Sequence, residues 1–476
     1  MRTFPYQSSY EIGNLALALA PALTPEGIVE TPSFFTGFAA QPQILARGLL
    51  VLADISATRY FKYVPVTLRD PVLTAQGDRL RAECFSACNG VYARLDLLQA
   101  GFDGEIGYGT TNVDIGLDLR KALTQVKQSD KLHVDIGGDG LATTHYNHAS
   151  ENNESPKAGN TNYDQSSIQH SNIFMAKSQA ISNNPGQTVI ERPVKMPDRW
   201  VRALGNAAEI HKGMEAGFTL KGPHAQAFIA TLPPVTGKSQ AGWLAPTRMG
   251  AKLSPAKTPG AVFVSGLHRL SALKRIMTNI TAVTFYRPAN AEPGAAMIVV
   301  EMQNCRITIS LTAEAWHGYS GEGALLTSLA HQDLLEDSEI IGKKLTFNAI
   351  IDVLKMAQTW NMDTTRAEDA LALLAVSGKL GYDAFDNAYF HRELPDDPDR
   401  ILKDNPRLVA AQKLVEAVNK TGDLTWTVPS GDVDYRVIYD PDNGVEKCTC
   451  AWYLKHLNKR GPCKHILAVQ LKEDDF

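Results

Sequence analysis

The stretch CTCAWYLKHLNKRGPCKH, residues 448–465, holds three of the chain's six cysteines and closes on a histidine. Cys448 and Cys450 stand one residue apart, and Cys463 and His465 repeat that spacing further on. Along a strand, alternate side chains point to the same side, so Cys448 and Cys450 can face one ion. The upstream run DYRVIYDPDNGVEKC, residues 434–448, reads as a β-hairpin: DPDNG is a strong turn signal, and the second arm runs into Cys448. WYLKHLNKR, residues 452–460, is helix-like and brings the chain back. Pro462 fixes the approach to Cys463, and HILAVQL starts a helix with His465 in its first turn.

Four nitrogen or sulfur donors are what a structural zinc site requires, with no coordination position left for water. His456 is a competing imidazole inside the loop. His465 is preferred because it completes the second pair, which leaves His456 as a surface or nucleic-acid contact.

A CxC…CxH quartet behind a β-hairpin resembles the SWIM zinc finger, a module of bacterial proteins, chromatin-remodelling ATPases and plant transposase-like proteins. The resemblance runs from Asp440 to Leu471. It implies that Cys448, Cys450, Cys463 and His465 bind one structural zinc ion, and that the module serves DNA or protein binding. Three further stretches, FFTGFAAQPQILARGLLVLADISATRYF (34–61), HGYSGEGALL (317–326) and LGYDAFDNAYFHRELP (380–395), resemble a bacterial group of SWIM proteins. Those are encoded beside MoxR-type AAA ATPases and von Willebrand A-domain proteins, which the resemblance implies as partners.

The rest of the 476-residue chain reads as multidomain α+β. Residues 1–142 form a first α+β block, with an amphipathic helix from Ile44 ahead of strand-like runs. Over 143–188 Asn, Ser, Gln and Gly dominate and no periodicity survives, so the segment reads as a polar linker or insertion. A second α+β block, 189–337, repeats the order of helix then strands, as a divergent duplication would. Residues 340–400 turn helical: LTFNAIIDVLKMAQTW and TTRAEDALALLAVSGKLGYDAF read as two helices, the second stopping near Gly378 and Gly381. The pair fits a helix-turn-helix or winged-helix-like unit, and equally a helical hairpin that merely packs. Residues 401–476 carry one more helix, the hairpin and the finger.

Hydrophobic residues make up 44% of the chain and charged ones 21%, with a formal net charge of −4, which argues against a protein that coats nucleic acid wholesale. Without an apolar run long enough to span a bilayer, or a secretory leader pattern, the expectation is a cytoplasmic protein with reduced thiols. Around the finger, Lys447, Lys455, Lys459, Arg460 and Lys464 interleave with Trp452 and Tyr453, a mixture that suits phosphate contact and stacking on bases. The same residues also suit a protein partner or a solvated face.

Other motifs carry less. TGKS (236–239) lacks the upstream glycine of a phosphate-binding loop, because Leu232 stands there. HRELP lacks the second histidine of a zincin, so His391 and Glu393 make no protease site. Cys84, Cys88 and Cys305 read as structural thiols, GYGTTN (107–112) as a loop, and GYSGEG (318–323) as a glycine-rich turn with Ser320 and Glu322 as helix-capping candidates. No catalytic arrangement stands out, so the expectation is a non-enzyme, with an unlocated site in the α+β blocks as the remaining alternative.

Overall fold

The computed structural model describes residues 9–11, 14–16, 22–24, 27–29, 33–60, 71–113, 115–137, 140–146, 187–191, 196–238, 240–314, 318–319, 334–394, 406–441, 443–458 and 461–474. Strand β1 (Phe35–Ala39) leads into helix α1 (Pro42–Ala57), with a proline in the first turn, where its missing N–H has no partner to lose. Strands β2 (Val72–Gln76), β3 (Arg79–Phe85), β4 (Val91–Leu98), β5 (Phe102–Ile106) and β6 (Tyr108–Asn112) follow. GYGTTN is therefore a strand rather than a loop; β6 pairs along β2 with Thr110 opposite Thr74, and its threonines suit a pleated backbone. Helix α2 (Leu117–Gln125), β7 (Lys131–Gly137) and β8 (Gly140–Tyr146) come next.

The next described strand is β9 (Gln187–Glu191), which lies antiparallel beside β8 with Thr143 opposite Val189. The polar segment thus leaves and re-enters one sheet. Residues 143–146 and 187–188, expected within the linker, are strand, and 147–186 lie outside the described residues, as do Ser320 and Glu322.

The second block runs through α3 (Asp198–Lys212), β10 (Met214–Lys221), α4 (Gly222–Ala230) and a small sheet of β11 (Ala241–Thr247), β12 (Gly250–Ser254) and β13 (Val262–Ser265). A helical stretch of 3₁₀ turns, Leu267–Asn279, precedes β14 (Ala282–Pro288), β15 (Ala296–Met302) and β16 (Cys305–Leu311).

The two blocks meet in one eight-stranded antiparallel sheet, ordered β6-β2-β3-β4-β16-β15-β14-β10. The seam is β4 against β16, from Val91 opposite Leu311 to Leu97 opposite Cys305. Each half supplies a helix and then three strands stepping toward the seam, and the two helices, α1 and Leu267–Asn279, pack together. One apolar core serves both halves, drawing on Leu49 and Leu52 of α1, Leu95 of β4, Leu270 and Leu273, and Ile307 and Ile309 of β16. Every residue of β16 is buried and all of β4 but its last, so both edges of each strand needed a partner. Alternation in the sequence marks strands but not which strand fills which edge. A second sheet, ordered β9-β8-β7-β1-β5, stands beside the first.

Helices α5 (Leu334–Gly342), α6 (Val353–Trp360) and α7 (Thr364–Val376) precede a hairpin of β17 (Leu380–Asp383) and β18 (Ala388–His391). Helix α6 starts eight residues later than its sequence pattern suggests. Phe347 takes a left-handed φ of 54°, and Asp352 caps the helix by accepting from Lys355 N at 3.0 Å. Helix α7 stops at Val376, just before the left-handed Gly378 (φ 79°), and LGYD at the end of that run is strand β17. Asn361, also left-handed, and the N-cap Asp363 make the turn between α6 and α7. Helix α7 is buried from Ala370 to Val376, against α3 and α5.

At Gly205 of α3 a side-chain β-carbon would come within 2.8 Å of the carbonyl oxygens of Ala375 and Val376, so α3 and α7 touch backbone to backbone. Gly205→Ala should therefore cost about 1–3 kcal/mol by forcing the helices apart, although helix propensity alone favours alanine by up to about 1 kcal/mol. A urea titration decides the sign, and a stabilised variant would contradict the close approach.

The hairpin closes over the sheet face opposite α1. There Arg81 and Glu83 of β3, Arg94 and Asp96 of β4 and Arg306 of β16 are all buried. Asp96 accepts from Arg81 Nε at 2.7 Å and Arg94 Nε at 2.8 Å. From the hairpin, Asp383 accepts from Arg306 Nη2 at 2.9 Å, and Asp386 accepts from Arg306 Nη1 at 3.0 Å and Arg79 Nη1 at 2.8 Å. In return Arg392 donates to Glu83 at 2.7 Å. The Phe390 ring lies 3.8 Å from the Arg81 guanidinium carbon. Burial alone would raise the Asp383 carboxyl, but Arg94, Arg81 and Arg306 outweigh it and hold it well below the usual carboxylate range.

Two buried imidazoles lie near this layer. Burial, with Lys379 and Arg392 nearby, pushes His391 down to about 3, and its Nδ1 accepts from Phe347 N at 2.8 Å. Burial, with Arg94 nearby, likewise pushes His211 down to about 3. Unfolded histidines take a proton near pH 6.5, while these stay neutral in the folded protein. Unfolding therefore binds protons between those values, and stability should fall as pH drops from about 6.5, by up to roughly 1.4 kcal/mol per pH unit for each histidine. Denaturant midpoints at pH 7.5 and 5 test this; equal midpoints would contradict it.

The C-terminal module comprises α8 (Pro406–Gln412), β19 (Asn419–Gly422), β20 (Thr425–Ser430), β21 (Val433–Asp440), β22 (Val445–Cys448), α9 (Ala451–His456) and α10 (Lys464–Asp474), around a core of its own. Among the described residues no helix is long and apolar enough to cross a membrane.

Candidate metal centre

The hairpin of β21 and β22 forms where the turn signal stood. Asn443 N donates to Asp440 Oδ1 at 3.1 Å, and Gly444 supplies the left-handed residue of the turn with φ 64°. Pairing of Val437 with Cys448 then sets the first ligand at the end of β22. Cys450 is the N-cap of α9, and its sulfur accepts from Tyr453 N at 3.4 Å. The Cys448 sulfur accepts from Cys450 N at the same distance. Leu457 ends α9, the chain turns through Gly461 and Pro462, and Cys463 leads into α10, which carries His465 in its first turn.

The four donor atoms of Cys448, Cys450, Cys463 and His465 lie within 4.8 Å of one another, and all four residues are buried. His465 Nδ1 stands 3.7 Å from the Cys448 sulfur and 3.9 Å from that of Cys463. Tetrahedral zinc, with bonds of about 2.3 Å to sulfur and about 2.0 Å to nitrogen, sets such pairs roughly 3.6 Å apart. The donor set therefore fits zinc in chemistry and in spacing. The His465 ring stacks on Tyr435, with centroids 4.3 Å apart and planes 23° apart, which fixes the direction of Nδ1. A hydrogen bond with Cys448 holds the Cys463 thiol well below its usual range against the opposing effect of burial, and His465 adds to that hold. Trp426, Val428, Val437, Ile466 and Leu467 pack around the ligands.

His456 stands outside the donor cluster, its ring 4.4 Å from that of Trp452. Trp452 is half-buried and carries the Arg407 guanidinium 4.5 Å from its ring centre, so that position is taken by the protein itself. Lys447 and Lys455 are exposed, whereas Lys464 Nζ donates to Ser430 at 2.8 Å. Lys459 and Arg460 lie outside the described residues. Sequence reasoning missed Tyr435 and Arg407 as supports. Alternation along β21, with Val437 buried, would have pointed Tyr435 inward, but nothing in the spacing marks Arg407.

Elsewhere Cys84 and Cys305 are buried, Cys88 is partly exposed, and burial pushes the Cys305 thiol far up. His391 Nε2 lies 3.6 Å from Glu393 Oε2, with the imidazole buried.

No curated protein matches this chain. Among solved structures it is similar to Proliferating Cellular Nuclear Antigen from Entamoeba histolytica, with 10% identity, 59% of this chain and 99% of that chain covered, and a TM-score of 0.34. It is also similar to the PCNA2–PCNA3 complex from Sulfolobus tokodaii, with 9% identity, 58% and 98% covered, and a TM-score of 0.38. Both likenesses are too loose to bear on function. Residues 435–472 match the SWIM zinc finger family, and all four donors fall inside the match. Residues 435–472 are a SWIM zinc finger built to hold one structural zinc ion.

Proposed function

We propose that the chain is a recognition or adaptor protein of a multiprotein complex, with the zinc finger as its contact module and the α+β body as scaffold. The observation supporting this reading is the division within the finger. Donors and core close inward, while α9, fastened at its first turn by Cys450, leaves Leu454 and Lys455 exposed. With four protein ligands the zinc adds rigidity and no open coordination site. The resemblance of residues 34–61, 317–326 and 380–395 to a bacterial SWIM group supports a MoxR-type AAA ATPase and a von Willebrand A-domain protein as partners. Size-exclusion chromatography of the full chain with those two proteins tests this. The wild type should co-elute with a partner and Cys463→Ser should not; undiminished co-elution of the variant would overturn the reading.

DNA or RNA binding is the second reading, favoured by the exposed Lys447 and Lys455, with Lys459 and Arg460 following in the sequence. Phosphate contacts release counterions, so that reading expects affinity to fall steeply with salt.

A further inference from the structure

We propose that Leu454 and Leu457 form an apolar knob by which the finger docks onto an acidic amphipathic helix of its partner. This rests on the recognition reading and names the partner's chemistry.

Leu454 is 66% exposed and Leu457 60%. Leu454 stands in the last turn of α9 and Leu457 caps that helix three residues on, so both exposed leucines belong to its C-terminal end. Leu457 moreover has φ 45° and ψ 49°, a left-handed conformation that bulky side chains rarely adopt and that glycine takes without strain. A leucine here gains neither burial nor a relaxed backbone. Strain of this kind, held in place by its surroundings, is characteristic of contact and functional sites.

The surroundings do hold it. Asn458, also left-handed at φ 58°, donates through Nδ2 to Glu446 Oε2 at 2.9 Å, and Gln470 Nε2 donates to Glu446 Oε1 at 2.7 Å. The turn behind the knob is thereby tied to β22 and α10, the two elements that carry Cys448 and His465. These bonds also engage Glu446, the one acid among residues 443–458. Among the described residues of 443–458 the exposed charges are Lys447 and Lys455, both positive. An apolar pair with lysines nearby is complementary to a helix with leucines along one face and carboxylates on either side, the helix-on-surface mode of peptide recognition. Bare leucines offer a phosphate backbone no contact.

The test uses the zinc-loaded full chain and a fluorescein-labelled helical peptide with leucines on one face and glutamates on the rest. Anisotropy should show binding that weakens about tenfold or more in Leu454→Ser/Leu457→Gly, with zinc content unchanged. Binding should also weaken in Lys447→Ala/Lys455→Ala and with added salt, and a peptide with lysines in place of the glutamates should not bind. Leu457→Gly alone should leave the finger's melting midpoint unchanged or raise it, because glycine relaxes the turn; a leucine needed only for packing would lower it. The proposal is overturned by absent peptide binding, by equal binding of the double-leucine variant, by a lowered midpoint, or by duplex DNA displacing the peptide. Should Cys463→Ser lose the partner complex while the double-leucine variant keeps it, the knob fails and the recognition reading stands. Should both variants keep it, both fail.

Discussion

Replacing Asp383 with alanine is expected to destabilise the α+β body by about 3–5 kcal/mol, a large fraction of the total stability of a typical domain. The reason is an asymmetry. Fully paired, the arginine–aspartate layer beneath the hairpin gains little over a well-packed apolar layer, because desolvation offsets most of the attraction. Removing one partner is different, since Arg94 and Arg306 would keep their charge in a place water cannot reach. Asp386 is the internal control. Its side chain is 18% exposed, so water can compensate part of the loss, and Asp386→Ala should cost clearly less. Guanidinium titrations followed by circular dichroism measure both. Hydrogen exchange should also show residues 380–391 losing protection first in the Asp383 variant, because the hairpin's acidic tip fastens it to the sheet. A loss below about 1 kcal/mol would mean that the layer is not the clasp described.

Chelating the zinc, or replacing Cys463 with serine, should unfold the finger and leave the body intact. Structural zinc contributes on the order of 10 kcal/mol to modules of this kind. The finger's own core is small and includes the ligands Cys448, Cys450 and Cys463, so it cannot close without them. The body's core contains none of these residues. Amides of 445–471 should then exchange freely while those of β3, β4 and β16 stay protected. Retained protection in the finger after full zinc removal would show that packing alone suffices there.

The finger was readable because its chemistry is local. The two ligand pairs, the DPDNG turn and the helix after Pro462 all act within a few residues, and the structure sets each where the sequence suggests. Mixed helix and strand content was equally readable. What the pattern did not carry is long-range. Nothing in VYARLDLL and CRITISL says that they pair with each other across two hundred residues, because buried strands lose the alternation that would orient them. Nor did the sequence reveal that LGYD, past the helix stop, would form a strand that brings Asp383 onto three arginines drawn from three strands. Both choices are made by tertiary packing.

Zinc K-edge X-ray absorption on the 476-residue chain, with elemental analysis, tests the central claim most directly. The structure calls for one zinc per chain, with three sulfurs at about 2.3 Å and one nitrogen at about 2.0 Å. A chain without zinc, or a shell containing water or a second nitrogen, would contradict the closed Cys448–Cys450–Cys463–His465 site.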